Sequence, residues 1–229
     1  MWGYNRHTDQ TVNIYSAFLQ NEWKNDRWGI LIGGRLDKHN MVDNVIFSPR
    51  ANLRFNPTQN INLRLSYSSG FRAPQAFDED MHIENVGGTV AMIERAKDLK
   101  EEKSQSFSVS ADMYHRFGAF QTNLLIEGFY TRLTDVFVLG KPYDRGDGIL
   151  VKTRSNGPGA KVMGLTLEGK VAYLSILQIQ AGLTLQRSRY DEPHKWHDDA
   201  PAEKKIFRTP DTYGYFTATC TPIKPLSIA

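Results

Sequence analysis

Only one of the 229 residues is a cysteine, Cys220. No internal disulfide can form and no thiolate metal cluster can assemble, so Cys220 reads as a small side chain in a strand. A dominant charge is missing too: 28 basic residues stand against 25 acidic ones, with no Lys/Arg block. Nothing in that balance calls for nucleic acid, and no motif calls for a cofactor. Long apolar runs are also lacking. The longest uncharged stretch, Val171 to Gln186, is broken by Ser175, Gln178 and Gln180. It is too polar and too short for the roughly 20 apolar residues of a spanning helix. The opening Met1 to His7 has no apolar core and does not read as a secretory signal. At 40% hydrophobic and 23% charged residues, the chain is too apolar for a disordered tail and too varied for a fibre.

What the sequence does have is alternation with a period of two. In Trp28 to Asp37, the residues Trp28, Ile30, Ile32 and Leu36 share one face, while Arg35 and Asp37 fall on the other. Pro49 to Phe55, Ile61 to Tyr67, Ser106 to Met113, Met163 to Glu168 and Leu177 to Leu185 repeat the pattern. These are strands with one apolar and one wet face. A soluble sandwich alternates in the same way, so alternation leaves sandwich and lipid-embedded barrel both open.

Three features favour the barrel. The apolar face of those segments carries no Lys, Arg, Asp or Glu; the other holds Arg35, Asp37, Arg50, Arg54, Arg64, Asp112 and Glu168. Connection lengths alternate. Short turns fall near Lys24–Arg27, Asn56–Asn60, Arg116–Ala119, Tyr173–Ile176 and Pro222–Pro225, and long loops near Lys38–Val45, Ser69–Glu102, Leu139–Gly159 and Arg187–Asp211. All the short turns then lie at one end of the sheet, as in outer-membrane barrels. Aromatics sit at strand ends: Trp23, Trp28, Phe55, Phe117, Phe120 and Tyr173 near the short turns, Tyr67, Tyr213 and Tyr215 toward the long loops. Rings in two such belts suit membrane–water interfaces.

The expected fold is all-β, an antiparallel up-and-down meander of about ten strands. They run near 12–23, 28–37, 47–55, 61–68, 104–115, 120–138, 161–172, 177–186, 212–221 and from Leu226. With no export signal in front and a short last strand, residues 1–229 are expected to be part of a barrel domain cut at both ends.

Ser66-Tyr67-Ser68-Ser69-Gly70-Phe71-Arg72-Ala73-Pro74 resembles the "S-Y-x-x-G-F-R-A-P" signature of TonB-dependent outer-membrane receptors. Further segments resemble that family in order. Gly33 to Asp37 is like its "G-x-R-x-D" strand, and Ser48 to Leu53 like its "S-P-R-x-x-L" strand. Leu99 to Ser104 is similar to its "L-K-P-E-x-S" element, with Glu101 where proline is usual. Asn156 followed by Gly164 to Glu168 is similar to its "N…G-x-E-x-E" element, with Thr166 in place of the first glutamate. The resemblance implies a transmembrane barrel of about 22 strands plugged by an N-terminal domain. It also implies uptake of a scarce nutrient (an iron–siderophore, haem, cobalamin or similar), driven by the TonB complex through a plug and box that this chain lacks. The expected location is the outer membrane of a Gram-negative-type cell, with outer-membrane lipid as a partner, and no enzymatic activity is expected.

Candidate residues follow. Phe71, Arg72 and Pro74 begin the longest loop, where they serve either as a rim element near ligand or plug, or as a strand terminator, with Gly70 letting the chain leave the strand. His82 occupies the interval in which the haem receptors of the family carry a histidine, although the following "N-P-N-L" box is replaced by Ala96 to Leu99. Asp78, Asp80 and His82 would suit the water-activating chemistry of an omptin-like barrel protease. A porin and a soluble β-sandwich binding module are also compatible with the strand pattern. His194 and His197 have a metal-like spacing, in a segment that reads as a hydrophilic loop. Arg35, Arg50, Arg54 and Arg64 are expected to point into a lumen, toward the plug.

Overall fold

The computed structural model describes residues 2–3, 6–7, 10–74, 84–86, 89–146, 148–195, 201–207, 209–223 and 226–228, and there is no helix among them. Eleven strands form the main sheet, ten of them in one path: β1 (Ile14–Lys24), β2 (Trp28–His39), β3 (Ile46–Thr58), β4 (Ile61–Arg72), β5 (Glu102–Phe117), β6 (Phe120–Thr134), β7 (Ala160–Tyr173), β8 (Leu177–His194), β9 (Thr212–Ile223) and β10 (Leu226–Ile228); the eleventh, Glu203–Lys205, pairs with the far end of β8. Each pairs antiparallel with its neighbours in the chain, so the sheet is an uninterrupted meander. The short turns are tight. Gly118, with φ of 56°, turns β5 into β6, and Leu174, with φ of 48°, helps turn β7 into β8.

Residues directly opposite in neighbouring strands point to the same side of a sheet, so register assigns the faces. One row reads Ile30, Leu53, Leu65, Val109, Gly128, Leu165 and Leu185 across β2 to β8 without a polar side chain. The row displaced by one residue reads Gly29, Arg54, Arg64, Ser110, Glu127, Thr166 and Thr184. Alternation in the sequence thus becomes two continuous faces. No second layer covers the apolar one among the described residues: Leu65 is 52% exposed, Val109 59% and Leu185 47%. The soluble sandwich is therefore overturned, because its inner face would be buried. Most of the buried hydrophobics, among them Val42, Ile46, Ala73, Met92 and Val151, collect at the long-loop end.

Several expectations need correcting. The strands run further toward the long loops than their alternating segments suggest; β8 reaches His194. Strand β6 stops at Thr134 rather than 138, because Asp135 takes φ of 54°, and Phe137–Leu139 joins another sheet. Gly70 does not let the chain leave; β4 continues through Arg72. Tyr213 and Tyr215 pair with Thr184 and Gly182, which puts them on the polar face and not in an apolar-face belt. The ring of Tyr215 lies over Gly182, whose missing side chain makes room for it, and its hydroxyl accepts a hydrogen bond from Gln180 at 2.7 Å.

Described segments of the two longest connections combine into a small second sheet. Its strands are Glu84–Val86, Thr89–Arg95, Phe137–Leu139, Tyr143–Asp144 and Leu150–Asn156. Leu150 to Arg154 pairs in parallel with Ala91 to Arg95, joining segments far apart in the chain. Asn156 ties this sheet to the main one. Its side chain accepts from the Lys100 amide at 2.7 Å and donates to the carbonyls of Lys100 and Asp135 at 3.1 and 2.8 Å.

This architecture can be probed at two positions. A methyl group on Gly164 would meet the Leu185 carbonyl oxygen and the Phe129 ring, each at 2.6 Å. Gly164→Val should lower stability by about 1–3 kcal/mol, read from the denaturant midpoint of the detergent-refolded protein. Asn156→Ala removes three hydrogen bonds of roughly 1 kcal/mol each. It should speed amide exchange in 89–95 and 150–156 while leaving β5 to β8 protected.

Candidate functional site

The polar face of the meander is a hydrogen-bonded wall. Asn52 donates to Ser66 at 2.6 Å, Arg64 to Asn62 at 2.8 Å, and Asn62 to Asn56 at 2.7 Å. Asp112 receives Tyr114 at 2.7 Å and a short bond from Asn123. Serines and threonines fill the rows between, with Ser106 and Thr131 at 3.0 Å and Thr166 and Thr184 at 3.1 Å. A surface of this kind is at home against water or a polar partner and would be costly in hydrocarbon.

Register places Arg35, Arg50, Arg54 and Arg64 together on this face. Their circumstances differ. Arg35 finds a carboxylate within the chain: its Nε lies 2.7 Å from Asp37, which is buried and also receives Ser16 at 2.6 Å. Arg64 is held by Asn62. The Nε of Arg54 is buried without a hydrogen-bond partner, and its guanidinium lies across Gly29, where a side chain would crowd it at 3.2 Å. Arg50 is exposed on the same face, directly opposite Ser68. Arg50 and Arg54 are thus the arginines of the four that the described chain leaves unmatched.

At the long-loop rim, Phe71, Arg72 and Pro74 act as a bracket. Phe71 packs on the cluster of Val42, Ile46 and Ala73, which fastens the β2–β3 connection. The Arg72 guanidinium stands 5.4 Å from the centre of the Phe137 ring, a cation–π contact with the second sheet. The buried Pro74 offers its carbonyl to Arg95 at 2.9 Å. Glu102, opposite Arg72 in the ladder, accepts from the Phe137 amide at 2.9 Å. The sequence singles out Phe71, Arg72 and Pro74 but gives no sign of Arg95, Glu102 and Phe137. The alternating β-branched residues Ile149, Val151 and Thr153 are a signal for the second sheet; its partner strand is not legible.

Asp78, Asp80 and His82 lie outside the described residues, as does His197. His194 ends β8, its ring 6.0 Å from that of Tyr190. Among the described residues no group of three or more His, Cys, Asp or Glu side chains converges as a metal site.

The apolar face carries an aromatic belt at the short-turn end. Trp28 stacks on Phe55 at 4.3 Å, Phe117 on Phe120 at 5.4 Å, and Phe120 meets Tyr173 at 5.0 Å. Nearer the long loops, Tyr67 meets Phe107 at 4.8 Å, and Phe107 pairs with Tyr130 in register.

Comparison with known proteins agrees with this geometry. No curated protein matches the sequence. Among solved structures, the siderophore receptor PirA from Pseudomonas aeruginosa superposes with a TM-score of 0.67 at 16% identity, over 79% of this chain and 35% of its own. The FrpB iron transporter from Neisseria meningitidis gives 0.63 at 16% identity, over 93% and 31%. A point mutant of the ferric enterobactin receptor PfeA from Pseudomonas aeruginosa gives 0.60 at 17%, over 97% and 39%. At these identities the likeness shows a shared fold, and the chain spans about a third of the length of those proteins. The family model described as "TonB dependent receptor-like, beta-barrel" matches residues 2–219. The chain therefore belongs to the TonB-dependent receptor β-barrel family, whose members are outer-membrane transporters and not enzymes.

Proposed function

We propose that this chain is part of the wall of an outer-membrane receptor that takes up a scarce nutrient, with an iron chelate as the favoured class of ligand. The observation that carries the reading is the apolar row from Ile30 to Leu185, exposed at Ile30, Leu65, Val109, Leu165 and Leu185 and backed by a polar face. In water such a surface would aggregate; against hydrocarbon it is at equilibrium. The aromatic belt beside the short turns marks the periplasmic interface. The family supplies the remaining context, in which further strands close the barrel to about 22 and the TonB complex drives uptake through a plug. The similar structures include siderophore receptors and an iron transporter, which supports the ligand class.

The wall is a scaffold on this reading. Arg50 and Arg54 face the plug and meet its acidic groups; the buried, unpartnered Nε of Arg54 favours that role. Arg35 and Arg64, already held within the chain, shape the same surface. Phe71 and Pro74 anchor the rim, and Arg72, exposed above them, is the rim residue offered to ligand.

The membrane reading is tested by charge placement in the full-length receptor. Val109→Arg should cost about 2–4 kcal/mol of barrel stability, and Ser108→Arg, one residue away on the polar face, under about 1 kcal/mol. Heat-modifiable gel mobility and outer-membrane yield measure both. Equal tolerance of the two substitutions would sink the reading. For the plug contact, the double variant Arg50→Ala with Arg54→Ala should weaken plug retention and slow uptake of a ferric siderophore about tenfold, given roughly 1.5–3 kcal/mol for each hydrogen bond to a charged group. Unchanged retention and uptake would remove the arginines from that role.

A further inference from the structure

Asn156 is the only asparagine of the chain that is followed by glycine. An asparagine in that position is chemically labile. Glycine puts no Cβ in the way, so the next backbone nitrogen can reach the side-chain amide carbon and expel ammonia. In this molecule the labile pair sits at the junction that holds the second sheet to the main one.

Asn156 accepts from the Lys100 amide at 2.7 Å and donates to the Lys100 and Asp135 carbonyls at 3.1 and 2.8 Å. One incoming donor and two waiting acceptors fit the oxygen and the NH2 group of a neutral amide. The Asp135 carbonyl belongs to a residue with φ of 54°, a region that a non-glycine backbone occupies only when its surroundings hold it there. Asn156 therefore clamps the kink at which the chain leaves β6 for Phe137–Leu139. Gly157 completes the clamp by donating its own amide to the Val136 carbonyl at 2.7 Å. It has to be glycine, because an added methyl would meet the two γ-carbons of Val138 at 2.7 and 2.8 Å. Both members of the labile pair are thus demanded by the fold.

The same contacts restrain the chemistry. The attacking nitrogen is the one donated to Val136, and the carbon it must reach is fixed through three hydrogen bonds. Attack needs the junction to open. When opening and closing are fast, the reaction follows the population of the open form. Both residues are half-buried, so water is at hand once the junction parts.

We propose that Asn156 is a self-modification site whose conversion to aspartate or isoaspartate permanently releases the second sheet from the main one. The Gly157 nitrogen loses its proton to solvent and bonds to Cγ of Asn156. The Cγ–Nδ2 bond breaks, and the amide nitrogen takes up a proton and leaves as ammonia. Water then opens the cyclic imide at one of its two carbonyls. One opening gives aspartate, and the other gives isoaspartate with an extra methylene in the backbone. Nothing is oxidised or reduced. The new carboxylate only accepts hydrogen bonds. It keeps the Lys100 amide but turns an anion toward the Lys100 and Asp135 carbonyls, which lose their donor. The kink at Asp135 is then unclamped. Phe137, which hangs from the same junction, loosens from Arg72 and Glu102 at the rim. The device runs one way, and it records how often the platform has opened.

The test incubates the full-length receptor in mild detergent at mildly alkaline pH. A synthetic peptide of residues 150–160 serves as the unrestrained reference. Mass spectrometry that separates aspartate from isoaspartate follows residue 156 in both. The folded receptor should convert at least about tenfold more slowly than the peptide, because several hydrogen bonds must open first. Phe137→Ala removes the ring beside Arg72 and should raise the folded rate about threefold. The converted fraction, separated by its added negative charge, should show faster amide exchange in 89–95 and 150–156, with β5 to β8 unchanged. Asn156→Asp should give that exchange pattern without incubation. Three results would overturn the proposal: conversion as fast as in the peptide, an intact Asn156 in wild type and Phe137→Ala long after the peptide is spent, or a converted fraction that exchanges like the unconverted one. Heat-modifiable mobility checks that the variants are folded barrels. The wild-type rate and the exchange of its converted fraction decide the matter even if a variant does not fold.

Discussion

The unbroken antiparallel ladder from β1 to β10 is what the rest of the molecule depends on. Each strand pairs with its chain neighbours, and no second layer among the described residues supplies a core beneath the sheet. Backbone hydrogen bonding satisfied strand to strand is the one arrangement, besides a helix, that survives contact with hydrocarbon. Once the ladder is in place, register does the sorting. A single residue's displacement would carry Val109 to the polar face and Ser110 to the apolar one. The cross-strand rows are therefore energetic units as much as geometric ones.

The two ends of the sheet are built differently. At the short turns, the chain reverses within a few residues and rings stack on one another on the apolar face. At the other end, strands outrun the apolar band, and buried hydrophobics appear where loops fold back. Asn156, Glu102, Arg72 and Arg95 each join a strand end to the second sheet, by hydrogen bond or cation–π contact. The loop ends therefore form a fixed platform, the kind of scaffold from which loops present ligand contacts.

Much of this is legible in the sequence because its causes are local. Alternation, turn residues and connection length act within a dozen residues, so ten strands and the sorting of turns from loops can be read directly. The shared face of Arg35, Arg50, Arg54 and Arg64 follows from the same parity. Where the sequence misleads, the missing information is a pairing. Tyr213 and Tyr215 have aromatic composition but polar-face parity, set by their partners Thr184 and Gly182. The second sheet depends on Leu150 to Arg154 finding Ala91 to Arg95 in parallel, with no turn between them to announce it.

By itself, then, the sequence determined the period, the number of hairpins and the polarity of each face, since each is written into neighbouring residues. The tertiary structure alone decided which side chains meet across strands. Arg54 over Gly29, Phe71 on Val42 and Ile46, and Lys161 between Arg132 and Arg189 are products of register. Register is a relation between distant segments, and no stretch of one strand carries it.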